Sequence, residues 1–342
     1  MSKTTTISRR TLLGMTLALA ACKKRGQVIE IMGLSMGTTY NVAIVDHDDQ
    51  FDKNEIRTAI DSALAGFNSK LSNWESDSEI ARFNAAAAQM PVTMSDELSQ
   101  VMQASAYVNA ASEGRFDTTI GPLIELWGFG APGAAEMPNP DAVARAIEMS
   151  GQANMLSLGA GQMAKRQDHA QVYLAGIGKG YGADYIGQVL ERFGATDYMV
   201  EIGGDLYASG RNPDGMPWQI GIETPNAADR SVIDIVGLSG LGLATSGDYR
   251  NYFEVDGQRY SHLIDPATGY PVTHNTTSAT VLDENAMLAD AWSTAMLILG
   301  REKGLEIAEA NGVAVQFIEL DRAGGAPTYK TTLSPQFEAL TA

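Results

Sequence analysis

Ile29 and Ile31, and then Tyr40, Val42 and Ile44, put apolar residues at every second position of 28–32 and 38–45, the period of a strand, around a turn at Gly33-Leu34-Ser35-Met36-Gly37. The period then lengthens. Ile56, Ile60, Ala63, Leu64, Phe67 and Leu71 recur at three- and four-residue spacing, which predicts an amphipathic core helix over 52–71 with Asp52 as its N-cap. Leu98, Val101, Met102 and Val108 predict a second helix over 95–112. Residues 131–140, rich in proline and alanine, read as a surface loop ahead of a helix at 141–150.

Short strand patterns follow at 155–158, 163–166 and 171–174, and lead through glycines into a helix over 180–193. Gly203-Gly204 separates two further strands, and 218–223 and 232–238 continue an antiparallel series. At 252–255 and 258–264, strand patterns flank Asp256-Gly257, a dipeptide suited to the positive φ of a tight hairpin turn. The last important helix runs over 285–299. Strands and helices mix without an internal repeat, so the expected class is α+β, with antiparallel or mixed sheets flanked by helices.

The first 22 residues stand apart. Ser8-Arg9-Arg10-Thr11-Leu12-Leu13 precedes an apolar run too short to span a bilayer, which reads as a twin-arginine export signal, and Leu19-Ala20-Ala21-Cys22 reads as a lipobox with Cys22 the lipidated residue. An ordinary signal peptidase site is the alternative. Cys22 is the only cysteine, so no intramolecular disulfide can form, and 23–342 is read as one catalytic body. The chain carries 24 Lys and Arg against 41 Asp and Glu; without the six cations of residues 1–25, 18 remain against 41, a net of −23. Such a body repels nucleic acid, and an anionic ligand would need a local cation or metal.

Polar groups concentrate at 244–274, where Thr245, Ser246, Asp248, Arg250, Arg259, His262, Asp265, Thr268 and His274 stand among turn-forming residues. His262 falls at a strand end beside the rigid turn Asp265-Pro266-Ala267-Thr268-Gly269; it is either a placed base or a solvated side chain. Gly176-Ile177-Gly178-Lys179-Gly180-Tyr181 is not a Walker loop, yet it puts Lys179 at a helix start that welcomes anions. Asp290, Ser293 and Thr294 share one helix face at i, i+3 and i+4, as hard oxygen donors or as a solvated acid on a scaffold helix.

Six ordered stretches resemble the ApbE family of flavin transferases: Met36-Gly37-Thr38-Thr39-Tyr40; Gly114-Arg115-Phe116-Asp117 with Leu126-Trp127-Gly128-Phe129; 176–181; Ile202-Gly203-Gly204-Asp205-Leu206; 244–274; and Ala289-Asp290-Ala291-Trp292-Ser293-Thr294-Ala295. The likeness spans about 30–320. It implies an ApbE-like fold with FAD as substrate, Met36, Phe116, Asp117, Lys179, Leu263 and Ile264 at the cofactor, Mg²⁺ on Gly176, Asp290, Ser293 and Thr294, and His262 as catalytic base, with His274 second. The chain departs from the family's usual pattern at Tyr173, where an aspartate is expected, and at Ala175, where a glycine is.

The implied activity is Mg²⁺-dependent transfer of FMN from FAD to a Thr or Ser hydroxyl of a partner, with AMP released. The implied partner is an acceptor flavoprotein subunit of a membrane redox system, met on the periplasmic side by a lipoprotein anchored at Cys22. Two other classes stay open: an FAD pyrophosphatase using water as acceptor, and a non-catalytic FAD-binding lipoprotein.

Overall fold

Eight strands pair in the order in which they occur in the chain. They are β1 (Gln27–Ser35), β2 (Thr38–Asp46), β3 (Tyr198–Ile202), β4 (Asp205–Ser209), β5 (Leu241–Gly247), β6 (Thr276–Asp283), β7 (Ala314–Asp321) and β8 (Thr328–Leu333), and every neighbouring pair is antiparallel. This computed structural model describes residues 26–129, 137–226, 231–249, 252–255, 258–321 and 328–342. The export signal, Cys22, most of the 131–140 loop, Arg250, the Asp256-Gly257 turn and the Arg259 side chain lie outside the described residues.

The strand period buries both faces of the sheet. Val42, Ile44 and Ala244 point to a helical layer, while Ala43, Val45 and Leu243, one residue away in each strand, point to the opposite side. The helical layer contains α1 (Lys53–Leu71), α2 (Asp96–Ala111), α3 (Gly178–Arg192) and α4 (Ala286–Asn311). Asp52 caps α1 by accepting from Asn54 N and Glu55 N, and the stripe Ile56, Ile60, Leu64, Phe67, Leu71 is buried. At roughly 1.5–3 kcal/mol for each large apolar side chain removed from water, this stripe holds α1 far more firmly than its cap does. Among the described residues no helix is long and apolar enough to cross a membrane.

Several expectations are corrected. Residues 218–223 and 232–238 do form strands, but they pair with each other in a separate ribbon instead of extending the sheet, and Trp218, Ile222, Val236 and Leu238 cover its second face with Phe337. Residues 171–174 are extended without a strand partner, because side-chain amides replace the ladder: Val172 bonds Asn84 and Asn73, and Leu174 N donates to Asn73 Oδ1 at 2.9 Å. The return strand of the hairpin stops at Ser261, leaving His262 outside regular structure. Helix α4 continues past Leu299 to Asn311, broken at Gly300 where φ is 70° and ψ 173°.

Candidate functional site

The segment around His262 is placed by aromatic stacking and a stapled turn. The ribbon of Tyr252–Val255 and Gln258–Ser261 rests on the Trp127 ring, with Tyr260 at 5.9 Å and Phe253 at 6.5 Å between ring centres. Trp127 Nε1 in turn donates to Gly269 O at 2.8 Å. Asp265 holds the turn by accepting from Ala267 N, and Arg115 Nε stands 3.1 Å from Asp265 Oδ1. Val272 N donates to Leu263 O, closing the loop behind His262. The imidazole lies edge-on to Phe129 at 6.3 Å and faces a cleft of about 420 Å³.

Several distant parts of the chain line this cleft, and four of them carry the residues expected at the site. Phe116 and Asp117 come from the segment after α2; Gly176 and Lys179 from the start of α3; His262, Leu263 and Ile264 from the stapled loop; and Asp290 and Thr294 from α4. All residues expected at the site therefore meet here except Met36 and Ser293. Met36, at φ 54° in the β1–β2 turn, lines an adjoining cavity of about 200 Å³ with Phe67, Trp74 and Lys179. Ser293 is buried behind the cleft, donating to Asp290 O at 2.9 Å and lying 2.9 Å from Ser246 Oγ.

Asp117 is not the cap of the helix Gly121–Leu126, whose N-cap Ile120 makes no side-chain bond. Its carboxylate instead accepts from Thr119 N and Oγ1, Gly151 N and Gln152 N, tying two loops together. Burial raises its pKa against the pull of those bonds. Oδ1 takes three of these bonds and Oδ2 one, so Asp117 braces the cleft wall and keeps acceptor capacity only on Oδ2.

The charged centre is a lysine held between two buried carboxylates. Lys179 Nζ bonds Asp205 Oδ2 and stands 3.8 Å from Asp290 Oδ1, and both acids are 3 % exposed. Burial disfavours the ammonium, but Asp290 and Asp205 outweigh it, so Lys179 is held above the usual lysine range. Burial, then repulsion from Asp205, pushes Asp290 above the usual carboxylate range, although Lys179 and the Gly180 N–H at 3.0 Å oppose this.

These oxygens fit a hard divalent cation. Asp290, Thr294 Oγ1 and the backbone at Gly176 lie together, and the missing side chain of Gly176 leaves the space open, since a Cβ there would stand 3.2 Å from Thr294 Oγ1. Mg²⁺ takes one or two carboxylates and fills its shell with water and phosphate oxygens, which this set permits. Among the described residues no three His, Cys, Asp or Glu side chains converge as a transition-metal site would need.

His274 is not in the cleft: its Nε2 lies 3.3 Å from Ile298 O, and its ring packs on Gly300. A larger open cavity of about 560 Å³ lies outside, over Arg145 and His169. It lacks the carboxylate–lysine–hydroxyl set, so we place the site in the smaller cleft. Asp205, Arg115 and Ser246 also line that cleft; they stand within the stretches quoted above but carried no expected role at the site. Only the Gly203-Gly204-Asp205 run offered a signal, since two residues at positive φ in a β-turn bring an acid close to a neighbour. Trp74, 87 % exposed beside Met36, is a further unexpected aromatic at the rim.

A model of the ApbE family matches residues 36–317. The chain is 40% identical over 315 residues to the FAD:protein FMN transferase of Haemophilus influenzae, covering 90% of each chain. It is 38% identical over 306 residues to that of Vibrio cholerae, covering 90% of this chain and 92% of the relative. Its fold is similar to the flavin transferase ApbE from Vibrio cholerae, with a TM-score of 0.83 and 35% identity over 92% of this chain and 99% of the other. The apo flavinyl transferase ApbE of Pseudomonas stutzeri gives the same TM-score at 38% identity, over 92% and 97%.

Proposed function

This chain belongs to the ApbE family, and from that premise we propose that it is an FAD:protein FMN transferase that works with Mg²⁺ on a Thr or Ser hydroxyl. The observation that carries the reading is the meeting of His262, Lys179, Asp290, Thr294 and Gly176 in one cleft from segments up to 118 residues apart. A loop histidine, a half-buried cation and a hard-oxygen set are what phosphoryl transfer to a hydroxyl asks of a protein.

In this reading the acceptor hydroxyl gives its proton to His262 as its oxygen attacks the FMN phosphorus of FAD. The P–O–P bond breaks, and AMP leaves with the bridging oxygen. Asp290, Thr294 and the Gly176 backbone would hold Mg²⁺, which supplies stabilisation of charge on phosphate oxygens. Lys179, fixed between Asp205 and Asp290, brings a permanent positive charge to a body of net −23. The Arg115–Asp265 pair and the Trp127–Gly269 bond keep His262 aimed at that centre.

The test is product analysis. The protein, FAD, Mg²⁺ and candidate Thr-bearing acceptor domains are incubated together, with covalent flavin read by in-gel fluorescence and AMP by chromatography. One AMP per flavinylated acceptor supports transfer; free FMN plus AMP without adduct, or FAD recovered intact, refutes it.

We further propose export by the Arg9-Arg10 signal and anchorage at Cys22 on the periplasmic side, which places the cleft among membrane redox subunits. Cys22→Ser is expected to move the protein from the membrane to the soluble fraction. Arg9→Lys with Arg10→Lys should leave it in the cytoplasm, and undiminished export of that variant would refute the twin-arginine reading.

A further inference from the structure

Tyr173 is a shared wall. It lines the reactive cleft, the cavity beside Met36 and Trp74, and the open cavity over Arg145 and His169.

Its surroundings hold the residue at its backbone, its hydroxyl and one ring edge. Tyr173 N donates to Thr118 O at 2.8 Å, and the residues on either side are bolted down by the amides of Asn73 and Asn84. The phenol oxygen lies 3.1 Å from Glu125 Oε1 and 2.7 Å from Gln171 Oε1. One proton cannot serve two acceptors, so it goes to the carboxylate, with the Gln171 amide turned to donate. The ring itself lies so closely on Gly121 that a Cβ there would stand 2.1 Å from Tyr173 Cε2. Burial, and then Glu125, push the phenol up to about 12, so it carries no charge at neutral pH.

We propose that Tyr173 is a positioning residue for the dinucleotide, a rigid neutral wall against which one of the ligand's two planar rings stacks. This rests on the reading of FAD as substrate. Asp117, Asp205 and Asp290 already line the cleft, so an uncharged wall adds no further repulsion to a pyrophosphate. Ala175 and Gly176 follow directly in the chain, which keeps a ring stacked here within one dinucleotide's length of Asp290 and Thr294. Because tip and edge are both tied, the ring loses little further freedom when a ligand lands on it. Stacking on an aromatic side chain strengthens binding by about ten- to hundredfold.

The experiment compares Tyr173→Phe, Tyr173→Leu and Gly121→Ala with wild type in transfer kinetics, and in calorimetric binding of AMP and FMN separately. Tyr173→Phe should hold the KM for FAD within about twofold, because the ring stays. Tyr173→Leu should raise KM about tenfold or more with kcat little changed, and weaken either AMP or FMN alone, which identifies the stacked ring. Gly121→Ala, whose added carbon has to push the ring aside, should raise KM in the same way with Tyr173 present; it carries the test if Tyr173→Leu does not fold. An unchanged KM in Tyr173→Leu, equal weakening of AMP and FMN, or Tyr173→Phe damaged as badly as Tyr173→Leu would overturn the proposal. A wild type that neither binds FAD nor modifies an acceptor removes the underlying reading first, independently of any variant.

Discussion

Two histidines of the 244–274 stretch have separate work, which local sequence did not separate. His262 faces the cleft from a stapled loop, whereas His274 sits against Ile298 O and Gly300. An imidazole can accept a proton from a hydroxyl, while an amide of similar shape is not basic. His262→Asn is therefore expected to keep FAD affinity and lose transfer by about 10²- to 10⁴-fold, and His274→Asn to change stability more than transfer. Parallel loss of FAD binding and transfer in His262→Asn would make the residue a ligand contact instead. Asp290→Asn with Thr294→Val keeps an acceptor for Gly180 N and the shape of the site but removes the charge that a cation needs. It should lower Mg²⁺-dependent transfer by about a hundredfold or more, with EDTA doing the same to wild type. Full turnover by the double variant in metal-free buffer would rule the site out.

Helix α4 is the element that local pattern described least completely. Its first half was expected over 285–299, with Asp290, Ser293 and Thr294 on one face; its continuation was not, because the break at Gly300 is set by a tertiary neighbour. With φ 70° and ψ 173°, Gly300 occupies a region essentially closed to residues with a Cβ, and a Cβ there would meet His274 Cδ2 at 2.7 Å. Gly300→Ala should cost about 2–4 kcal/mol in denaturant unfolding, from strain and clash together. Adding His274→Ala should recover only the clash, so a double-mutant cycle should show partial rescue. A cost within about 0.5 kcal/mol would refute the strain argument. The 171–174 segment makes the complementary point: its apolar alternation is real, but Asn73 and Asn84, about a hundred positions away, supply the partners that a neighbouring strand would have given.

Across the whole molecule, strands and amphipathic helices were legible from periodicity, whereas the layers were not, since strand spacing does not say whether 218–238 extends the sheet or covers it. The same blindness to long-range contact hides Asp184. In sequence it is one more acid on α3; in the fold its carboxylate accepts from Ala286 N at 2.8 Å and Met287 N at 2.9 Å, capping α4 from another helix. Burial, with added repulsion from Asp283, raises Asp184 to about 7 against those bonds, and burial raises Asp283 to about 6. Both folded values exceed the unfolded value of about 3.9, so the native state binds more protons than the unfolded chain between these limits. The stability these groups contribute is complete below about pH 4 and is lost as pH rises through about 6 and 7. A tenfold change in a group's proton affinity corresponds to about 1.4 kcal/mol, and the partial exposure of Asp184 reduces what it delivers, so we expect a loss on the order of 2 kcal/mol between pH 5 and 8. Asp184→Asn should be less stable overall, having one good acceptor for two N–H groups, yet flatter with pH. Melting temperatures of both proteins from pH 5 to 8 decide the matter: the gap between them should narrow as pH rises, and a constant gap would mean that Asp184 is ionised in the native state throughout.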